Sequence, residues 1–239
     1  MDEDRICGLN AVRALFARRP ESVKRLFLSE EARAAAEPMR ARMAERRKPY
    51  RVLDADELAR AAGTQHHGGI VAVAVSRPVA LLDFEHPPRH PFLLVLDGVG
   101  NPHNLGAIAR GAAFFGVRAL LLHETLAQAM PSDAAYRVAE GGLEHLELYR
   151  TRSLRKALQV LDPYYRTVAA TLTEAAVRPE EVPRDRAMVL VLGDEEHGVS
   201  QEALETCRRQ VRVRGSGAVQ SLNVAQSAAV LLHALTGRR

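Results

Sequence analysis

The chain has 239 residues, of which 47% are apolar, so it can bury one large core or two smaller ones without disulfides or metals. Its two cysteines, Cys7 and Cys207, lie far apart and have no metal-ligand or redox spacing, so they indicate neither a disulfide scaffold nor a zinc site. The net charge of +4 permits a polyanionic partner without requiring one. No stretch reaches the roughly 18 apolar residues of a membrane span, so we expect a soluble, cytoplasmic protein without a membrane partner.

Apolar periodicity predicts a small α/β domain over residues 1–76. Its predicted elements are a helix at 7–18, a strand at 25–29, a helix at 30–47, a strand at 50–54, a helix at 55–62 and a strand at 69–75. Residues 1–80 hold 15 Lys and Arg against 11 Asp and Glu, so the whole positive excess lies here. A dense basic stretch either contacts a nucleic acid or is a solvated helix face; it consists of Arg40, Arg42, Arg46, Arg47, Lys48 and Arg51.

Residues 77–91 carry four prolines, and we expect a linker that neither continues a helix nor pairs along a sheet. Residues 92–239 then alternate apolar strands with helices, which implies a parallel sheet covered on both faces. The predicted strands lie at 92–99, 119–123, 146–149, 166–170 and 187–192, and the helices at 105–116, 132–141, 153–161, 200–207 and 221–236. The last helix is apolar nearly all round, so we expect it to be buried.

The first motif follows the strand at 92–99 and runs from Asn101 to Arg110. Ligands of open α/β sheets gather at the carboxyl ends of the strands, where this turn is predicted to lie. A dinucleotide-binding GxGxxG pattern, which would indicate a nicotinamide oxidoreductase, fails because its third glycine position is His103. A helix that begins near Asn104 can bind a phosphate at its N-terminus, with Arg110 less than two turns away. The alternative is an Asn N-cap and a surface arginine.

Two further motifs also lie between a strand and a helix. The second, Leu190–Ser200, is a glycine-bounded loop whose backbone can approach a flat ligand, although an ordinary βα loop has the same appearance. The third, Val213–Ala225, places Ser221 and Asn223 at the start of the last helix, where simple N-capping is the alternative.

In this order and spacing, the three motifs closely resemble those of the SpoU (TrmH-like) branch of the SPOUT RNA 2′-O-ribose methyltransferases. The matching segments are Asn104-Leu-Gly-Ala-Ile-Ala-Arg110, Leu192-Gly-Asp-Glu-Glu-His-Gly198 and Ser221-Leu-Asn-Val224. The N-terminal part is similar to that family's substrate-binding domain, which is like ribosomal protein L30e. The segments that carry this second likeness are Gly8-Leu-Asn-Ala-Val12 and Gln65-His-His-Gly-Gly-Ile-Val71.

The resemblance implies an RNA-binding domain at 1–76, the linker at 77–91 and a catalytic domain at 92–239 that ends in a deep trefoil knot. It implies S-adenosylmethionine as cofactor, a tRNA or rRNA substrate and a homodimer formed through the knot region. The residues that it assigns to catalysis are Arg110, Asn104, Glu195, Ser221 and Asn223. Those that it assigns to the cofactor are Leu192, Gly193, Val213, Gly217 and Leu222.

Methyl transfer from a sulfonium requires no metal, but one proton must leave the ribose hydroxyl. The family role of Arg110 is to activate that hydroxyl, yet a charged guanidinium has no acceptor site. Arg110 therefore acts either as a base in its neutral form or as a clamp on phosphate and alkoxide. A catalytically inactive RNA-binding protein of the same fold remains an alternative. The loop Val213-Arg214-Gly215 departs from the family's usual Ile-Pro-Met, which leaves the strength of cofactor binding open.

Overall fold

The structure is a computed structural model, and it describes residues 2–237. The helices are α1 (Leu9–Arg18), α2 (Glu37–Glu45), α3 (Ala55–Ala62), α4 (Pro102–Phe114), α5 (Asp133–Ala139), α6 (Leu154–Leu161), α7 (Gln201–Thr206) and α8 (Val224–Thr236). The strands are β1 (Glu3–Cys7), β2 (Val23–Leu28), β3 (Tyr50–Val52), β4 (Ile70–Val75), β5 (Ala80–Leu81), β6 (Phe92–Asp97), β7 (Ala119–His123), β8 (Glu147–Thr151), β9 (Arg166–Ala170), β10 (Met188–Gly193) and β11 (Arg209–Val211).

The described residues form two compact units. Unit 1 contains the chain up to Pro78 together with the separate segment Pro131–His145. Unit 2 contains Val79–Met130 and the chain from Leu146 onward. The segment at 131–145 therefore belongs to unit 1, although it lies between two strands of unit 2 in the sequence.

Unit 1 is built on a four-stranded sheet of order β1-β4-β2-β3, in which only the β2–β3 pair is parallel. Helix α3 shows why its ends fall where they do. Asp54 caps its start by accepting the backbone N–H of Glu57 at 2.8 Å, and Gly63 ends it at φ 68°, a conformation that glycine adopts without strain. Leu58, on its inner face, is completely buried.

The segment at 131–145 adds α5 and a 3-10 turn to unit 1. Ser132 caps α5, and Tyr136 buries its ring in the unit. The carboxylate of Glu144, 1% exposed, accepts two hydrogen bonds of 2.8 Å from the guanidinium of Arg19. Arg19 also donates to the carbonyl oxygen of Val75 at 2.6 Å. A charged pair with this geometry ties the segment firmly to α1 and β4.

Unit 2 contains a seven-stranded, entirely parallel sheet of order β11-β9-β10-β6-β7-β8-β5. Side chains of β6 alternate between its faces, so Leu93 and Val95 join the cluster that includes Leu154 and Leu158 of α6. Helices α6 and α7 pack together on that side, and α4 packs with α8. The predicted parallel sheet flanked by helices is confirmed.

Three predicted elements differ from the structure. The helix expected at 30–47 begins only at Glu37, because Pro38 lacks an N–H and fits only the first turn. The expected linker forms strand β5, which pairs with β8 at the sheet edge, where proline neighbours are tolerated. The last helix begins at Val224 and is buried on one face only, since Val230 is 43% exposed.

Candidate functional site

The three motifs lie at the carboxyl edge of the sheet in unit 2. Strands β6 and β10 are neighbours, and Asp97 pairs with Gly193 at their ends. Helix α4 begins at Pro102, and its N-cap is Asn101, whose side chain accepts the N–H of His103 at 2.8 Å. Since Asn101 is the cap, the side chain of Asn104 in the first turn can make other contacts.

Asn104, Glu195 and Asn223 form one hydrogen-bonded group, here called the amide–carboxylate cluster. The amide of Asn104 donates to the carboxylate of Glu195. The amide of Asn223 donates to the same Glu195 oxygen at 2.9 Å and to Asn104 Oδ1 at 3.2 Å. One residue from each motif contributes to this cluster.

Asn223 also explains how the cluster is fixed to the fold. Its Oδ1 accepts the backbone N–H of Ala225 at 2.9 Å, so Asn223 is the N-cap of α8. The capping interpretation of the third motif is therefore correct for Asn223. The same side chain, however, uses its NH₂ group for the cluster, so capping and site formation are not exclusive.

The loop that carries Glu195 is tightly closed. Asp194 Oδ1 accepts the N–H groups of Glu196 and His197, both at 2.7 Å. A Cβ atom on Gly193 would lie 2.0 Å from the backbone of Gly198. The glycine at 193 is therefore required because the loop folds back on itself at this point.

The remaining predicted residues differ in their exposure. Arg110 is exposed on α4, and Ser221 is exposed just before α8. In the predicted cofactor set, Leu192 is 1% exposed, Leu222 is 40% exposed and Gly217 has φ 90°. Val213 is half-buried. Their roles in catalysis and cofactor binding stay predictions.

The departure from the family at Arg214 has a nearby counter-charge. The carboxylate of Glu174 accepts a hydrogen bond from Arg212, and its pKa is lowered by that bond and, more weakly, by the charges of Arg212 and Arg214. Glu174 lies outside the three motifs, and its negative charge attracts the guanidinium of Arg214.

The motifs did not single out Asp97 and His123, which end strands β6 and β7. Asp97 is 5% exposed; its Oδ1 accepts from His123 Nδ1 at 2.7 Å, and its Oδ2 accepts from the N–H of Ser200 at 2.8 Å. Burial opposes ionisation of Asp97, but hydrogen bonds from His123 and Ser200 outweigh it and lower the pKa. A charged residue that ends an apolar strand was the available signal.

A buried amide fixes the loop between β6 and α4. Gln128 Oε1 accepts the N–H groups of Gly98 and Val99, both at 3.1 Å, and its Nε2 donates to the carbonyls of Val99 and Ala129. All of its hydrogen-bonding capacity is used in this way. The turn that leads into Asn104 is therefore held rigidly.

Two family models match the chain. Residues 91–233 match the SpoU rRNA Methylase family, and residues 5–79 match the family of RNA 2′-O ribose methyltransferase substrate binding domains. Across residues 2–237, no helix has the length and apolarity to cross a bilayer, and no group of His, Cys, Asp and Glu side chains could hold a metal ion.

Similar proteins cover nearly the whole chain. An uncharacterized tRNA/rRNA methyltransferase, YfiF, of Escherichia coli O157:H7 is 33% identical over 97% of this chain and 67% of the relative. A protein of the same description from Haemophilus influenzae is 34% identical, and this chain spans 66% of its length. The 23S rRNA (guanosine-2′-O-)-methyltransferase RlmB of Nitrosomonas europaea is 30% identical over 95% of this chain and 88% of the relative.

Solved structures share the fold. An AdoMet-bound rRNA methyltransferase from Sinorhizobium meliloti has a TM-score of 0.80 at 20% identity, covering 98% of this chain and 86% of that one. The SpoU methyltransferase AviRb from Streptomyces viridochromogenes, in complex with AdoMet, has a TM-score of 0.78 at 20% identity, covering 98% and 89%. The arrangement of a parallel sheet flanked by helices is thus that of the SpoU methyltransferases.

Proposed function

Since this chain belongs to the SpoU rRNA methylase family, we propose that it transfers a methyl group from S-adenosylmethionine to a ribose 2′-hydroxyl of a structured tRNA or rRNA. The observation that carries the proposal is the amide–carboxylate cluster, in which one residue of each motif meets at the carboxyl edge of the sheet. The relatives named as 23S rRNA (guanosine-2′-O-)-methyltransferases support the choice of the ribose 2′-hydroxyl as the methylated group. Substrates of this kind favour a cytoplasmic location.

The loops around the cluster fit the cofactor. Leu222 and Val219, 40% and 71% exposed, offer apolar surface on the loop before α8, as an adenine ring requires. We assign Leu192, Gly193, Val213, Gly217 and Leu222 to adenosine binding. When bound, S-adenosylmethionine supplies an electrophilic methyl group, and no metal is needed for that chemistry.

In this proposal the residues of the cluster orient one another and do not react with the methyl group. Asn104 and Asn223 fix the Glu195 carboxylate through hydrogen bonds, so its direction is set before substrate binds. Arg110 then either accepts the proton of the ribose hydroxyl or, as a guanidinium, holds the adjacent phosphate and stabilises the developing alkoxide. Ser221, exposed beside Asn223, is assigned to substrate positioning.

Unit 1 is proposed to contact the RNA, because residues 5–79 match a substrate-binding family and residues 1–80 hold 15 Lys and Arg against 11 Asp and Glu. Four side chains of its dense basic stretch have partners inside the unit. Arg40 pairs with Glu37, Arg42 donates to the carbonyl of Phe16, Arg46 pairs with Glu21, and Lys48 donates to the carbonyls of Glu21 and Val23. Arg47 and Arg51, both exposed, are better placed for phosphate contacts.

We also propose the C-terminal trefoil knot and a homodimer formed through it, as the family resemblance implies. Phe114, at the end of α4, is 83% exposed, and Val230 of α8 is 43% exposed. Because α4 packs with α8, these side chains give unit 2 an uncovered apolar surface. A second copy of the chain would cover it with twofold symmetry.

The test is methyl transfer itself. Purified protein is incubated with tritiated S-adenosylmethionine and with unmodified tRNA or 23S rRNA, and 2′-O-methylation is mapped by resistance to alkaline hydrolysis. Arg110→Ala should lower turnover by at least about 100-fold, as loss of a key electrostatic group does, while cofactor affinity stays within a few-fold. RNA binding without any transfer would instead support a catalytically inactive member of the fold.

A further inference from the structure

Asp97, His123 and Ser200 link the ends of strands β6 and β7 to the end of the loop that carries Glu195. Asp97, His123 and Gly193 are paired across three adjacent strands. From this position the Asp97 carboxylate uses one oxygen for His123 and the other for the N–H of Ser200. The three groups lie apart from the amide–carboxylate cluster in the hydrogen-bond pattern, since none of its residues bonds to Asp97 within the described chain.

The two ends of the Glu195 loop are held by different interactions. Gly193 is held by the pairing of β10 with β6, which depends on backbone groups alone. Ser200 is held by a side chain, the carboxylate of Asp97. A change at Asp97 therefore removes the side-chain hydrogen bond at the Ser200 end of the loop and leaves the strand pairing at the Gly193 end.

His123 holds Asp97 in turn. Its ring is 12% exposed, with Nδ1 on Asp97 and Nε2 3.9 Å from the Glu202 carboxylate in the first turn of α7. Asp97 is 5% exposed, and a buried carboxylate keeps its charge only while strong donors face it. His123 thus keeps Asp97 in the ionised form that binds the Ser200 N–H most strongly.

We propose that Asp97 and His123 are positioning residues for methyl transfer, which hold the Glu195 loop in its active geometry through the backbone of Ser200. The inference rests on the proposed function, because it assigns to these residues the orientation of a group in that site. Asp97 and His123 thus differ from residues that only stabilise the fold. Loss of the anchor displaces Glu195 but leaves the β10 end of the loop, and with it Gly193, where it is.

The decisive variant is Asp97→Asn, which keeps the shape of the side chain but cannot accept two hydrogen bonds from the same donors. We expect kcat to fall by about 10- to 100-fold, since displacing a site group by about 1 Å costs this much, with S-adenosylhomocysteine affinity within about threefold. The matched control is Asp162→Asn. Asp162 accepts from Arg208 Nε at 2.6 Å but lies before β9, at the opposite edge of the sheet, so turnover should stay at the wild-type value.

Substitutions of His123 separate positioning from packing. His123→Asn places an amide N–H near the position of Nδ1 and should keep most of the turnover, whereas His123→Ala should resemble Asp97→Asn. Turnover of Asp97→Asn at the wild-type rate would overturn the inference. A joint fall of kcat, cofactor affinity and melting temperature in Asp97→Asn and His123→Ala would also overturn it.

A second measurement does not depend on catalysis. Amide hydrogen exchange of residues 195–200 should accelerate in Asp97→Asn and not in Asp162→Asn, because only the first loses the Ser200 anchor. Unchanged exchange overturns the inference whatever the activity. A wild-type protein without methyl transfer overturns the proposed function, and exchange then still decides whether Asp97 anchors the loop.

Discussion

Gly193 is the position at which the candidate site tolerates least change. A methyl group there would overlap with the backbone of Gly198, and the short Asp194–Gly198 bridge leaves the loop little freedom to move aside. The same contact places Gly193 at the junction between a rigid strand and the loop that carries Glu195. One added carbon atom therefore acts on the geometry of the whole loop.

Gly193→Ala should lower S-adenosylhomocysteine affinity by more than about tenfold, because a Cβ atom only 2.0 Å from the Gly198 backbone forces the loop open. Titration calorimetry measures the affinity. Gly111→Ala is the control: a Cβ at Gly111 of α4 meets no atom within 4 Å, and alanine favours the helix. Affinity in Gly193→Ala equal to that in Gly111→Ala would show that the loop adapts.

Both cysteines should be unreactive in the native protein. Burial, helped by the charge of Asp133, raises the pKa of Cys7 to about 11, and burial with nearby carboxylates raises that of Cys207 to about 12. At pH 8 only about one Cys7 thiol in a thousand is a nucleophilic thiolate. Ellman's reagent should therefore react slowly with the native protein and promptly with both thiols in denaturant. Rapid reaction in native buffer would show that the thiols are accessible.

The sequence predicted the members of the cluster but not what holds them. Asn104, Glu195 and Asn223 belong to three motifs with fixed spacing, so their meeting could be expected from the resemblance. Asp97 and His123 could not be found in this way, because each is a single polar residue at a strand end. Their partnership depends on the register of β6 with β7, which periodicity does not specify.

At the scale of elements, α5 is the segment whose place in the fold differs most from its place in the sequence. It follows β7 and precedes β8, yet it packs in unit 1 through Tyr136 and the pair of Arg19 with Glu144. Its helical pattern was predicted near 132–141, but a short amphipathic helix carries no information on which core it joins. The helix predicted at 30–47 is present but begins only at Glu37, because Pro38 fits only the first turn of a helix.

Glu144→Gln should destabilise unit 1 by about 3 kcal/mol, because the buried Arg19 guanidinium loses the carboxylate with which it is paired. Urea unfolding followed by circular dichroism measures the loss. The double variant Arg19→Met with Glu144→Leu should lose less than the single one, since replacing both members of a buried pair removes the desolvation cost as well. A double variant less stable than Glu144→Gln would contradict this account.

At the scale of the molecule, the basic N-terminal segment and the motifs lie in different units. Residues 1–80 hold the positive excess, whereas the described motif residues all lie in unit 2. The change of composition at the proline-rich segment predicts a boundary there, and the contacts divide the chain after Pro78. The sequence did not reveal that unit 1 is discontinuous, since that depends on contacts between residues more than 100 positions apart, such as Arg19 and Glu144.

Removing residues 1–78 alone should yield a poorly soluble protein, because Ala135, Tyr136 and Leu143 lose the residues that bury them and become exposed to solvent. Removing them and replacing 131–145 with a Gly-Ser segment of equal length should restore solubility and cofactor binding. RNA affinity and its salt dependence should both fall, as phosphate contacts are lost. Filter binding at several salt concentrations tests this. If this shortened protein bound RNA with the affinity of the full chain, the RNA site would lie in unit 2.

The discontinuity of unit 1 also determines when this unit can fold during translation. Its last sheet strand ends at Val75, but its buried Glu144 is added about 70 residues later, which takes roughly 4–14 s at ribosomal rates of about 5–20 residues per second. Throughout that interval the nascent domain carries Arg19 without its counter-ion and an uncovered face of α1. Unit 1 therefore cannot complete its core until residues 131–145, which follow β6 and β7 in the chain, have left the ribosome.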